Sequence, residues 1–127
     1  MMETKNSKRY DLEERTFEFA KNVRNFVRKI PKDIPNTEDS KQVVRSAGSV
    51  GANYIEANEA LSKKDFLMRI KICRKEAKES KYWLMLLEVS AEKRLQDEQR
   101  SLISEATELM MIFSAIMRKS EAQNPKF

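Results

Sequence analysis

The sequence predicts an all-α protein, an up-and-down, left-handed four-helix bundle. Its 127 residues include only two Gly and three Pro, and 35% of them are charged. Lys, Glu, Met, Leu and Ala favour helices, whereas a sheet protein of this length would need many more turn residues. The chain has no histidine and one cysteine, which excludes an internal disulfide, His-based catalysis and the usual zinc sites. A chain of this length forms one domain with a sizeable core.

Apolar residues at alternating steps of three and four mark the first two helices. After a flexible N-terminal arm at 1–10, the first helix runs from Asp11 to Ile30 and ends before Pro31. The second helix follows Pro35, with Asn36 or Thr37 as its N-cap. The residues that it is expected to bury are Val43, Ala47, Val50, Tyr54 and Leu61.

The third helix is the longest, from Lys63 to Ala91, with Ser62 as its N-cap and Asp65 three residues on. Its apolar seam alternates by four and three residues, a period typical of a left-handed bundle: Phe66, Ile70, Cys73, Ala77, Ser80, Leu84, Leu87 and Ala91. A break near 92–97 precedes the fourth helix, which places Leu102, Ala106, Leu109, Phe113 and Ile116 on one face. The bundle therefore covers 11–122, and 123–127 form a C-terminal tail.

Both glycines, Gly48 and Gly51, fall inside the second helix. Each costs a helix interior about 1 kcal/mol relative to Ala. Close approach of a neighbouring helix, or a polar group that needs the space, would compensate for this cost, so we expect tight packing at both positions.

A second apolar stripe lies opposite the seam of the third helix at about 100° per residue. It consists of Met68, Ile72, Trp83 and Leu86. Scattered surface hydrophobes are normal, but a tryptophan with three aliphatic residues on one stripe favours an interface. The sequence therefore predicts a homo-oligomer built through this helix.

A third stripe of the same helix carries cations, in a chain of net charge +5. They are Lys64, Lys71, Arg74, Lys75, Lys78 and Lys81. Such spacing favours contact with the phosphates of RNA or DNA. The alternative is a solvated face in which lysines pair along the helix, for example Lys75 with Glu79. No apolar run reaches membrane-spanning length, no apolar signal region opens the chain, and the single cysteine fits a reducing cytoplasm.

Three blocks of the sequence resemble a known family. They are Arg45-x-Ala47-x-Ser49-Val50-Gly51-Ala52-Asn53-x-x-Glu56-Ala57, Ser62-Lys63-Lys64-Asp65-Phe66, and Lys75-Glu76-Ala77-x-Glu79-x-x-Tyr82-Trp83-Leu84. The family comprises four-helix bundle proteins encoded in intervening sequences of bacterial large-subunit (23S) ribosomal RNA genes. It is related to the accessory variability protein of diversity-generating retroelements.

The resemblance implies a homopentamer, and a reverse transcriptase or other nucleoprotein as a partner. It also implies a partly buried structural polar network of Arg45, Asn53, Glu56 and Tyr82. For function, it implies nucleic-acid binding without enzymatic activity, metal or cofactor.

Two helical carboxylate pairs support a different hypothesis. Glu56-x-x-Glu59 and Glu76-x-x-Glu79 each place two acids on one face, as in magnesium-dependent nucleotide pyrophosphohydrolases of all-α fold. Such matches are common in a Glu-rich helical chain, and Lys75 and Lys78 would neutralise the second pair. We therefore favour a non-enzymatic, sequence-tolerant nucleic-acid binding or adaptor protein. A third class is a protein scaffold for a polymerase.

Overall fold

The computed structural model describes residues 11–123 as four α-helices. They are α1 (Leu12–Val27), α2 (Ile34–Asn58), α3 (Lys63–Leu86) and α4 (Lys93–Gln123). Each helix packs against the next one along the chain, and α1 also packs against α4. This closed arrangement confirms the all-α, four-helix bundle; the left-handed twist stays a prediction. The predicted arm at 1–10 and residues 124–127 of the tail lie outside the described residues.

The start of α2 differs from the sequence prediction. Asp33 is its N-cap, and Asp33 Oδ1 accepts a hydrogen bond from the backbone N–H of Asn36 at 2.9 Å. Pro35 therefore lies inside the first turn. Backbone N–H groups in the first turn have no intrahelical partner, so the N–H that proline lacks costs no hydrogen bond. The predicted caps, Asn36 and Thr37, were wrong for this reason. Upstream, α1 ends at Val27, before the turn that leads to Pro31.

The α2–α3 connection confirms one prediction and corrects another. Ser62 caps α3, and its Oγ accepts from the backbone N–H of Asp65 at 3.0 Å. Leu61, which was expected to be buried, lies in this connection and is 97% exposed. At its other end α3 stops at Leu86, because Leu87 adopts an extended conformation. Ala91 is therefore exposed and outside the helix. With 31 residues against 24, α4 and not α3 is the longest helix within 11–123.

The core runs along the centre of the bundle and contains most of the predicted seams. Its largest fully buried side chains are Phe19, Phe26, Phe113, Ile70, Leu84 and Leu109. Burial of one such side chain stabilises the fold by roughly 1.5–3 kcal/mol. Cys73 is fully buried among them, and its thiol donates to the carbonyl of Val50 at 3.4 Å. Burial raises the pKa of the Cys73 thiol to about 12, so it stays protonated in the folded chain.

Asn36 joins two connections at one end of the bundle. It is 2% exposed, and its Nδ2 donates to the carbonyls of Pro31 at 2.9 Å and Glu88 at 2.7 Å. Its Oδ1 accepts from the backbone N–H of Glu88 at 3.0 Å. One side chain thus satisfies backbone groups of both the α1–α2 and the α3–α4 connection.

The two glycines of α2 have different surroundings. A Cβ built on Gly51 would lie 2.9 Å from Thr16 Oγ1 and 3.3 Å from Thr16 Cβ, so α1 approaches α2 closely there. This confirms the expected tight packing at Gly51. A Cβ on Gly48 would lie 3.6 Å from the Arg24 guanidinium, an ordinary contact distance. At Gly48 the single chain therefore leaves room for a side chain.

Candidate nucleic-acid interface

The predicted cations lie on one side of α3 and form what we call the α3 basic surface: Lys64, Lys71, Arg74, Lys75, Lys78 and Lys81. The last five follow one another at steps of one or three residues, which keeps them on neighbouring positions of the helix. Lys64, Lys71, Lys75 and Lys78 are exposed, and Arg74 and Lys81 are half-buried.

Few carboxylates neutralise the α3 basic surface. Among the ion pairs formed within 11–123, only Lys71 of these six residues takes part, at 3.8 Å from Glu121 of α4. The alternative pairing of Lys75 with Glu79 is not formed there, since Glu79 accepts from Arg45 at 3.4 Å. The surface is therefore available to an external anion.

Arg45 connects α2 to α3 through a buried acid. Its Nη2 lies 3.3 Å from Glu76 Oε1 and also reaches Glu79. The Glu76 side chain is only 8% exposed, whereas that of Arg45 is 54% exposed. A buried carboxylate needs such a partner. The pairing of Glu76 with Arg45 was not predicted from the sequence, because helical spacing gives the face on which a residue lies but not its partner on the next helix.

The predicted structural polar network divides into separate contacts. Asn53 Oδ1 accepts from Arg69 of α3 at 2.8 Å, a partner that sequence reasoning missed. Glu56 is exposed near the end of α2. Tyr82 is also exposed, and its ring meets Trp83 edge-on with centroids 5.0 Å apart. Thus Arg45 and Asn53 connect α2 to α3, whereas Glu56 and Tyr82 lie outside these contacts.

The expected oligomer interface, which we call the α3 apolar stripe, consists of Met68, Ile72, Trp83 and Leu86. Met68 is 48% and Leu86 45% exposed in the single chain. Ile72 and Trp83 are half-buried, and Trp83 also packs against the core. Met68 lies four residues after Lys64 and seven before Lys75, so the stripe borders the α3 basic surface.

The carboxylate pairs of the enzyme hypothesis are not arranged around a common point. Glu56 and Glu59 are exposed at the end of α2, where Glu59 is the C-cap. The other pair, Glu76 and Glu79, faces Arg45. Within residues 11–123, no three side chains of His, Cys, Asp or Glu are grouped so that they could hold a metal ion.

A second basic region, which the sequence did not reveal, lies between α1 and α2. We call it the α1–α2 groove, a cleft of about 600 Å³ whose cationic lining residues are Arg24, Lys32, Lys41 and Arg45. Lys41, Arg45 and Gly48 follow at steps of four and three along α2, and this spacing was the available signal. The other two cations, Arg24 and Lys32, come from α1 and the α1–α2 connection. The spacing within one helix cannot group them with residues of α2.

Within residues 11–123, no helix is both long enough and apolar enough to cross a bilayer.

Comparison with known proteins identifies a family and a similar solved structure. Residues 8–115 match the family described as 23S rRNA-intervening sequence protein. The fold is similar to the crystal structure of a protein of unknown function from the S23 ribosomal protein family of Bacteroides thetaiotaomicron VPI-5482. That similarity has 31% sequence identity and a TM-score of 0.70, and covers 83% of this chain and 96% of the other. No curated protein matches the chain.

Proposed function

Because the chain belongs to the 23S rRNA-intervening sequence protein family, we propose that it is a non-enzymatic nucleic-acid binding or adaptor protein. The observation that carries this proposal is the α3 basic surface, in which five of six cations have no carboxylate partner within 11–123. Lysines bound to phosphates release counterions, and this release supplies affinity without reading the sequence of the nucleic acid. Binding is therefore tolerant of sequence.

Tyr82 adds a contact of a different kind. It lies four residues after Lys78, with its ring exposed and supported edge-on by Trp83. A ring in this position can stack on an unpaired base, and every base offers a face for stacking. Single-stranded RNA or DNA is therefore the preferred target.

Oligomer formation would bury the α3 apolar stripe. The partly exposed Met68 and Leu86 form its two ends, and the family resemblance implies five copies. Repetition of the α3 basic surface around a pentamer would increase avidity without any new contact. Such an assembly suits an adaptor on a reverse transcriptase or another nucleoprotein, and the single cysteine fits the cytoplasm.

A salt titration tests nucleic-acid binding. Fluorescence anisotropy with a labelled single-stranded oligonucleotide compares wild type with the triple variant Lys64→Gln, Lys75→Gln, Lys78→Gln. The slope of log K against log salt is negative, and each phosphate contact that is lost makes it shallower by about 0.7. For the triple variant, the magnitude of the slope should therefore decrease by roughly 2. Affinity at low salt should fall at least about tenfold.

The matched control removes the same charge elsewhere. Lys29 and Lys93 already pair with Glu98 and Asp97, and Lys119 lies near the end of α4. Changing these three to Gln should leave affinity within about twofold of wild type. Equal losses in both triple variants, or no binding by wild type at low salt, would overturn the proposal. Capture of a host polymerase that survives nuclease treatment would instead support the scaffold hypothesis.

A further inference from the structure

We propose that the α1–α2 groove binds one nucleotide of a single-stranded nucleic acid, with its phosphate at Arg24 and its base on the apolar floor. No residue of the α3 basic surface lines the groove, although its Arg45 reaches Glu76 and Glu79 of α3. Its volume of about 600 Å³ falls within the 300–1,000 Å³ range of small-molecule sites.

The lining of the groove has the composition that a nucleotide needs. Its floor is aliphatic and consists of Val27, Ile30, Pro31 and Val44. Its rim carries the four cations named above, and none of the residues that line it is acidic. An apolar surface beside a concentration of positive charge fits a flat base joined to a phosphate.

Of the two arginines in the groove, Arg24 is the more available to a phosphate. Within 11–123 it makes no ion pair, and its Nη1 donates only to the carbonyl of Ala20, at 3.3 Å. Arg45, by contrast, is engaged by Glu76 and Glu79. Arg24 also has several N–H groups in a planar fork, which matches the oxygens of a phosphate.

Gly48 keeps the Arg24 guanidinium accessible. The position of a Cβ on Gly48 is 3.6 Å from Arg24 Nη2, so the guanidinium lies over the glycine. Any larger residue at 48 would cover part of the floor beside it. The absence of a side chain at Gly48 thus keeps this part of the groove open to a ligand.

The polar groups of the groove do not select one base. The side-chain amide of Asn36 already bonds to Pro31 and Glu88. The uncharged polar groups of the lining that can bond to a base are therefore the hydroxyls of Thr37 and Ser40. A hydroxyl both donates and accepts, so it can meet the edge of any base. This agrees with sequence-tolerant binding, on which the inference rests for its class of ligand.

Photo-crosslinking tests the groove apart from the α3 basic surface. The probe is 4-thiouridine 5′-monophosphate, with mass spectrometry to locate the crosslinked peptide. Wild type should crosslink within residues 27–48, and unlabelled AMP should compete. Arg24→Gln should lower the yield about tenfold at subsaturating probe, since it removes a hydrogen-bonded charge from the phosphate.

Arg28→Gln is the matched control. Arg28 is exposed one turn further along and does not line the groove, so its variant should keep the wild-type yield. Crosslinks confined to α3, or an equal loss in both Arg variants, would overturn the inference. A changed oligomer mass in Arg24→Gln without any crosslink would also overturn it and assign the groove to a second copy. If the monophosphate crosslinks in the groove but no oligonucleotide binds, the groove stands and the proposed function fails.

Discussion

Replacing each glycine of α2 by alanine separates close helix approach from open space. Both substitutions gain about 0.5–1 kcal/mol of helix propensity. At Gly51 the new Cβ would meet Thr16 Oγ1 at 2.9 Å and Thr16 Cβ at 3.3 Å. Overpacking of this kind costs about 1–3 kcal/mol. We therefore expect Gly51→Ala to be less stable than wild type by up to about 2 kcal/mol, and Gly48→Ala to be more stable by up to about 1 kcal/mol.

The difference between the two variants isolates the packing cost, because the propensity gain is common to both. Urea unfolding followed by circular dichroism measures it, at one fixed protein concentration since association also contributes to stability. Thr16→Ala removes the hydroxyl that a Cβ on Gly51 would meet at 2.9 Å. The double variant should therefore be about 1 kcal/mol more stable than the sum of the two single effects. Equal stabilities of Gly48→Ala and Gly51→Ala would refute the close approach of α1 to α2.

Three further predictions concern single side chains. Asn36→Ala should lower the free energy of unfolding by about 2–4 kcal/mol, because it strands buried backbone groups of Pro31 and Glu88; urea unfolding measures this, and a loss below about 0.5 kcal/mol would contradict it. The pKa of Cys73 is raised to about 12 from 9.0, so its contribution to stability is complete below pH 9 and disappears as the pH rises toward 12. Iodoacetamide labelling at pH 8 should therefore proceed only as fast as unfolding, and immediate labelling of native protein would show an exposed thiol. Met68→Glu should lower the oligomer mass measured by light scattering, whereas Met111→Glu, 61% exposed on α4, should not; a monomeric wild type would refute the interface.

The number of helices and most of their core faces followed from the sequence. Apolar spacing predicted the buried Leu102, Ala106, Leu109 and Phe113 of α4, and Ser62 identified the start of α3. Pro35 was read as part of a connection, although a proline in the first turn is compatible with a helix. The error arose because the same residue type both ends helices and begins them.

The candidate sites were predicted only in part. The α3 basic surface and the α3 apolar stripe each come from one helix, so periodicity alone could group their residues. The partners of Arg45 and Asn53 come from α3, and their identity depends on how far α2 slides along its neighbour. The α1–α2 groove likewise combines Arg24 with cations of α2, which no single periodic pattern contains.

The hydrogen bonds of Asn36 make the two ends of the bundle unequal in their tolerance of a chain break. At the end where Asn36 lies, the α1–α2 and α3–α4 connections share one buried side chain, so a cut in either connection would disturb the hydrogen bonds of both. At the opposite end, the α2–α3 connection exposes Leu61 almost completely, and Ser62 bonds within its own helix. New termini placed at 60–61 should therefore preserve the fold, which makes this connection the natural point for circular permutation or for inserting a reporter domain.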